Sequence, residues 1–225
     1  MYTKFFKRFF DLLLSGMAIC VLSPVLLVLI VLGAIKMKGN PFFTQLRPGK
    51  DEKIFRLIKF RTMTCEKDEN GNLLPDEVRL TKYGRLLRST SLDELPELFN
   101  IFVGQMSIVG PRPQLVRDMV FMSDEVRKRH CVRPGLTGLA QCSGRNAMTW
   151  EKKFEYDLEY IEKITFFGDV KIILKTVLKV FARDGITEEG EATATDLGDY
   201  LLSKGNVTKE EYDSLQIEAK ELMKV

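Results

Sequence analysis

What these 225 residues have little of narrows the chemistry first. His130 is the only histidine, and the four cysteines (Cys20, Cys65, Cys131, Cys142) form no CxxC pair or other metal-ligand spacing. That scarcity argues against a zinc site and against a Ser-His-Asp triad. Scattered thiols without a pairing pattern fit free cysteines in a reducing compartment better than a disulfide framework. The formal charge is only +3, too small a surplus to expect a nucleic-acid partner. No internal repeat is present. The length suffices for one real core, with room for an appendage.

Charge is also missing locally. Residues 12–35, "LLLSGMAICVLSPVLLVLIVLGAI", contain no charged side chain, and a membrane-crossing helix needs roughly 20 apolar residues. Lys4, Lys7 and Arg8 resemble the basic region of a signal peptide. The run is long for that purpose, however, and no small-x-small cleavage site follows it. Pro24 behind Ser23 lies at its midpoint, where proline removes a donor and crowds the carbonyl of Cys20. Basic residues flank both ends: Lys4, Lys7 and Arg8 before, then Lys36, Lys38, Arg47 and Lys50 after. The positive-inside bias therefore draws both ends to the cytoplasm. A helix that breaks and turns back satisfies this, and the rival is a kinked single span.

Beyond Gly39-Asn40-Pro41 the composition becomes that of a mixed α/β domain. "KIFRLIKFRTM" predicts a strand, with Lys59 and Arg61 sharing a face with Leu57 and Met63. "EKDENGNLLPDE" predicts a polar loop turning at Asn70-Gly71. "RLTKYGRLLRS" predicts a helix whose Arg79, Lys82, Arg85 and Arg88 line one side and whose Leu80, Tyr83 and Leu87 form the apolar stripe. "ELFNIFVGQM" reads as a buried helix, then "SIVG" as a strand and Pro111-Arg112-Pro113 as a stiff turn. Helices are expected over residues 149–163 and in "DVKIILKTVLKVFAR". The stripe of the latter is Val170, Ile173, Leu174, Val177 and Phe181, flanked by Lys171, Lys175 and Lys179. It suits either a core or an anionic bilayer surface. The tail has a capping-box spacing at Thr208 and Glu211, with Tyr212, Leu215, Ala219 and Leu222 at helical intervals.

The stretch "STSLDELP" raises the functional question. Ser91 and Glu94 match a capping box, and acids are favoured in a first helical turn. Against that structural reading stand Lys59, Arg61, Arg85, Arg88 and Arg112, more cations than Asp93 and Glu94 can neutralise. Arginine forks suit phosphate oxygens. A carboxylate among them can act as a nucleophile toward phosphorus. A Mg²⁺ held by one or two carboxylates and substrate oxygens would remove its repulsion from a diphosphate.

Several long motifs occur in one order: "KRFFD", Ser23-Pro24, "FFTQLRPG", "DEKIFRLIKFRTM", "SLDELPELFN", "SIVGPRP", "VRPGLTGLAQCSGRN" and "KKFEYDLEYI". Across residues 2–190 the chain resembles the bacterial sugar transferase family, specifically the small monotopic phosphoglycosyl transferases. The resemblance implies a re-entrant membrane helix-break-helix (residues 1–38, broken at Ser23 and Pro24) and a helix-rich α/β (α+β) catalytic domain over residues 39–190. Residues 191–225 are then a helical appendage outside the family pattern. It implies the bacterial inner membrane, cytoplasmic face, with membrane lipid, a UDP-sugar and undecaprenyl phosphate as partners and a possible homodimer. The reaction implied is phospho-sugar transfer from the UDP-sugar to undecaprenyl phosphate, releasing UMP through a covalent aspartyl-phosphosugar, with Mg²⁺. Asp93 would be the nucleophile and Glu94 its partner in metal binding or proton handling. Lys59, Arg88, Arg112, Arg145 and Asp157 would be substrate-binding. The rival readings are an aspartyl-phosphate hydrolase of nucleotide-sugars and a non-catalytic membrane scaffold.

Departures concern the sugar. Leu139 replaces a frequent aromatic residue, Cys142-Ser143-Gly144 replaces a frequent "VNG" before Arg145, and Gln105 takes a position that is often acidic. The resemblance alone points to an N-acetylated hexosamine, and these changes leave that open.

Overall fold

A computed structural model describes residues 2–144, 148–182 and 195–224. A π-helical turn, Tyr2–Phe6, leads into α1, Lys7–Lys36. Strand β1, Phe42–Pro48, pairs antiparallel with β2, Ile54–Phe60, placing Phe43 opposite Lys59. After the loop turned by Gly71 come α2, Asp76–Arg79, and α3, Lys82–Thr90. Helix α4 follows, Glu97–Val103, ending where Gly104 adopts φ 91°, a conformation suited to glycine. Strand β3, Ser107–Val109, pairs in parallel with β4, Gly135–Thr137, and α5, Val116–Met119, and α6, Asp124–Arg127, lie between them in sequence. The remaining helices are α7, Leu139–Ser143; α8, Trp150–Glu162; α9, Phe166–Ala182; α10, Leu197–Ser203; and α11, Lys209–Leu222. The class is α/β and helix-rich, as expected, with two small two-stranded sheets.

The expected break at Ser23-Pro24 is absent from the secondary structure: α1 continues through Pro24. The physical reason is local. Pro24 cannot donate to the carbonyl of Cys20, and the Ser23 hydroxyl donates to that same oxygen at 2.8 Å. A serine beside the proline thus satisfies the acceptor that the ring strands.

Helix α1 is bonded to the rest of the molecule along its length. At its start, Tyr2 Oη and Lys7 Nζ both lie 2.6 Å from Asp169 Oδ2 on α9. Arg8 donates to the carbonyls of Ile101 (2.6 Å) and Phe102 (2.7 Å), capping the end of α4. Buried Asp11 accepts from Ser107 Oγ (3.0 Å) and Ile108 N (2.9 Å) on β3. In the middle, Ala18, Ile19 and Leu22 pack on the core of Phe55, Leu57, Leu98, Ile101 and Met106. Toward its end, Leu26 and Leu29 are buried with Phe60 and Leu87, and Tyr83 Oη donates to the Leu29 carbonyl at 3.0 Å.

The opposite face of α1 is apolar and uncovered: Phe9, Leu13, Val21, Leu27, Val28 and Ile35 are exposed. Helix α4, expected to be buried, likewise leaves Phe99, Phe102 and Val103 outside. On α9 the inward residues are Asp169, Ile172, Ile173 and Thr176, whereas Phe167, Leu174, Val177 and Leu178 are exposed. The stripe expected from the sequence is thus divided, with Ile173 inward and Leu174 and Val177 outward, because α9 has two apolar sides. The side chain of Phe181 lies outside the described residues. The Phe166 ring meets those of Tyr2 (5.9 Å) and Phe10 (5.4 Å), joining the outward surfaces of α9 and α1.

The tail helices form as expected from the capping box. Thr208 N donates to Glu211 Oε2 (2.8 Å) and Glu211 N to Thr208 Oγ1 (3.2 Å). Leu197 packs with Met122 and Phe154, and Leu197 N donates to Asp118 Oδ1 at 2.9 Å. The docking of α1 makes a first prediction. Asp11→Ala strands a buried hydroxyl and a backbone amide, and should cost about 1–3 kcal/mol of stability. Thermal unfolding in lipid nanodiscs measures it; an unchanged Tm would contradict the docking of the helix start.

Candidate active site

The two acids sit at a corner. Ser91 takes a left-handed conformation (φ 56°, ψ 19°) that ends α3, and Leu92–Glu94 form one 3-10 turn before α4. Pro96 occupies the N-cap of α4, where its missing donor costs nothing. The capping box expected at Ser91 and Glu94 does not form, since Ser91 makes no side-chain cap bond. With Ser91 turned left-handed to close α3, the Glu94 carboxylate is directed instead to two cations. Its Oε1 lies 2.7 Å from both Lys59 Nζ and Arg112 Nη2.

Each cation is placed by identifiable contacts. Lys59 projects from β2, and Asn100 of α4 clamps that strand: its Oδ1 accepts from Ile58 N (3.1 Å) and its Nδ2 donates to the Arg56 carbonyl (2.8 Å). The same Nδ2 reaches Gln105 Oε1 at 2.7 Å, which is what Gln105 does at its departure from the family pattern. Arg88 is brought in by a close approach at Gly84, where a Cβ would lie 1.9 Å from the Thr62 carbonyl oxygen. Arg88 Nε then donates to Thr62 Oγ1 at 3.2 Å. Arg112 sits in the proline-bracketed turn, and all three carbonyls of that turn are held. Pro111 O accepts from Gly135 N (2.9 Å), Arg112 O from Arg129 Nη2 (2.7 Å) and Pro113 O from Arg47 Nη1 (3.1 Å).

The three carboxylates here differ in state. Burial tends to raise Glu94, but Arg112 and Lys59 overcome it and hold the group far below the usual carboxylate range. Asp93 is pushed up, by burial first and the Glu94 charge second, against the pull of Lys59, Arg112 and Arg88. Asp93 has no hydrogen bond or ion pair among the described residues. The third acid, Glu97, is one the sequence reading missed as a member of this cluster. It is 3% exposed, 3.1 Å from Lys59 Nζ, and burial pushes it up to about 7. Its place at i+3 from Glu94 was the available signal.

Lys59, Asp93, Glu94, Arg88 and Arg112 are therefore gathered around one corner. Asp157 is not among them: it is 2% exposed on α8, and its Oδ2 accepts from buried Arg129 at 2.6 and 3.0 Å. The structure thus brings Asp157 to Arg129, behind the Arg112 turn, and not into the corner. Arg145 lies outside the described residues. His130 is buried, with burial lowering it to about 4, and lies 3.5 Å from Glu52, away from the acids.

Among the described residues no group of three or more His, Cys, Asp or Glu side chains could hold a metal alone. Mg²⁺ does not require one, since it usually takes one or two carboxylates and completes its shell with water and substrate phosphates. The unpartnered Asp93 carboxylate and the second oxygen of Glu94 fit that role.

Glu97 supplies a pH prediction. Folding raises its pKa from 4.5 to about 7, so the protonated form is favoured; its stabilisation is complete below the lower value and lost as pH rises through the upper. Glu97→Gln mimics the protonated form. It should match the parent near pH 4.5 and exceed its stability by up to about 3 kcal/mol near pH 8. A Tm difference independent of pH would contradict the assignment.

Comparison with known proteins gives the family of the chain. The family model described as bacterial sugar transferase matches residues 2–183. An uncharacterized sugar transferase, EpsL, of Bacillus subtilis is 49% identical over 84% of this chain and 93% of its own length. The UDP-glucose:undecaprenyl-phosphate glucose-1-phosphate transferase of Klebsiella pneumoniae is 41% identical over 78% of this chain. The undecaprenyl-phosphate galactose phosphotransferase of Salmonella typhimurium is 34% identical over 81%. The chain spans 40% and 42% of the lengths of these last two. With a family match over most of its residues and a site whose acids and cations sit on the matched segment, the chain belongs to the bacterial sugar transferase family.

Proposed function

We propose that the chain transfers a phospho-sugar from a UDP-sugar to undecaprenyl phosphate. Asp93 is the nucleophile. One of its carboxylate oxygens attacks the β-phosphorus, the bond from that phosphorus to the bridging oxygen breaks, and UMP leaves with the electron pair. A phosphate oxygen of undecaprenyl phosphate then attacks the same phosphorus, giving the lipid diphospho-sugar and restoring the Asp93 carboxylate. No net proton transfer is needed.

The observation that carries this reading is the contrast within the dyad. Glu94 is tied to two cations, whereas Asp93 is unpartnered, pushed up by burial and flanked by Lys59, Arg88 and Arg112. A less solvated, more basic carboxylate is the better nucleophile, and the surrounding cations stabilise charge developing on the phosphoryl oxygens. A Mg²⁺ held by Asp93 and Glu94 would supply the screening that lets carboxylate and diphosphate meet. The printed names of the Klebsiella and Salmonella relatives support undecaprenyl phosphate as the acceptor. They name glucose and galactose rather than an N-acetylated hexosamine, so the sugar is best found with a panel of UDP-sugars.

The setting proposed is the cytoplasmic face of a bacterial membrane, with α1 entering and leaving the bilayer on that face. Soluble monomers rarely leave so large an apolar surface uncovered as that of α1, α4 and α9. Contacts to the same body at Tyr2 and at Leu29 favour a re-entrant path over a span.

UMP release measured with purified protein should require both UDP-sugar and undecaprenyl phosphate beyond a single turnover. Asp93→Asn should lower it at least about 1,000-fold, and labelled UDP-sugar alone should leave phosphosugar on Asp93. Equal UMP release without lipid acceptor would indicate hydrolysis instead. An Asp93→Asn variant with full activity would overturn the mechanism.

A further inference from the structure

We infer that Arg129 and Asp157 are positioning residues for the transfer, acting through the backbone carbonyl of Arg112. This deepens the function proposed above and rests on it. Arg129 is 2% exposed and Asp157 2% exposed. Nε and Nη2 of Arg129 both donate to Asp157 Oδ2, at 3.0 and 2.6 Å, and Nη2 also donates to the Arg112 carbonyl at 2.7 Å. The Phe154 ring lies 5.9 Å from the Arg129 guanidinium, closing one side. A chain of contacts thus runs from α8 through a buried fork to the peptide whose side chain touches Glu94.

A buried ion pair is a weak device for stability, because desolvation of two charges offsets their attraction, and apolar side chains of similar volume commonly serve a fold as well. What an apolar pair cannot do is donate to the Arg112 carbonyl. Asp157 takes up the Nε and shares the Nη2, which sets the plane of the guanidinium and aims its remaining bond. The neighbouring carbonyls, of Pro111 and Pro113, are held independently by Gly135 N and Arg47. Arg129 is therefore the contact that fixes the peptide plane of Arg112 itself. The Arg112 side chain is 44% exposed and touches Glu94 with Nη2, so its aim depends on where its backbone is pinned.

Lysine at 129 keeps a positive charge beside Asp157 but, having a point charge rather than a planar fork, cannot hold the carboxylate and the carbonyl in one fixed geometry. A second variant replaces both charges together, Arg129→Met with Asp157→Leu, and is designed to retain the fold. Both are compared with Arg112→Ala in nanodiscs, on UMP release and on calorimetric binding of UDP with Mg²⁺. A misplaced catalytic contact can cost about 100-fold in rate. Arg129→Lys and the Met/Leu pair should each lose about that factor in kcat/KM while melting close to the parent, and both should bind UDP more weakly. In the Arg112→Ala background Arg129→Lys should add less than about a threefold loss, because the group it aims is gone.

Full multiplication of the Arg129→Lys and Arg112→Ala losses, or a Met/Leu pair that melts normally with parental turnover, would overturn the inference. If the Met/Leu pair does not fold, the Arg129→Lys cycle decides alone. A parent protein that binds no UDP and releases no UMP would instead sink the function on which the inference rests.

Discussion

Hydrogen bonds at Tyr2, Asp11 and Leu29 tie α1 to one body from its start to its last third. Its 30 residues extend about 45 Å, longer than the roughly 30 Å of hydrocarbon that a crossing helix must traverse. Length therefore permits a span, and it is the contacts that favour the re-entrant path proposed above. The same contacts make α1 part of the catalytic core. Leu22 packs with Leu98 of α4 and Leu57 of β2, and Leu26 packs with Phe60 and Leu87. Strand β2 and α3 carry Lys59 and Arg88, and the dyad lies in the turn between α3 and α4. The helix with the uncovered apolar face and the corner of acids and cations are thereby parts of one packed unit, which suits the proposed transfer from a soluble donor to a membrane-bound acceptor.

Within the corner, one charge pattern separates the acids. Two cations on one oxygen of Glu94 keep it ionised, and that fixed negative charge helps to raise Asp93 and Glu97. Three carboxylates in a small volume cannot all be equally ionised, and the two cations on Glu94 decide which one stays charged. Asp93 stays unpaired beside the cations, while Glu97 is enclosed under Lys59. Two interior side chains contribute too: Asn100 bonds the strand backbone just before Lys59, at Ile58 N and the Arg56 carbonyl, and Arg129 donates to the Arg112 carbonyl.

Local signals in the sequence carried much of this architecture. The strand bearing Lys59, the Gly71 turn, α8 and the Thr208 capping box follow from periodicity and cap chemistry, as does α3 from Lys82 on, whereas Arg79 and Leu80, expected in that helix, precede it. What escaped depends on distant partners. Strand β1 has little alternation and a proline at its end, so only its pairing with β2 defines it. Ser91 looked like a helix cap but closes the preceding helix, because its carboxylate partner is drawn away by Lys59 and Arg112. Asp157 was expected among the substrate-binding residues, and its burial against Arg129, 28 positions earlier, depends on a partner no local pattern reveals. For α9 the apolar residues were visible, but which side meets the core could not be read from a helix with two apolar faces.

The claim that both ends of α1 lie on one side of the membrane is open to direct measurement. Thr3 and Asn40, both exposed, can be replaced singly by cysteine in a cysteine-free background and probed with a membrane-impermeant maleimide in oriented inner-membrane vesicles. Both positions should react from the cytoplasmic side and neither from the other. Labelling of the two positions from opposite sides would contradict the packing of α1 on the catalytic core, and with it the placement of the dyad at the cytoplasmic surface.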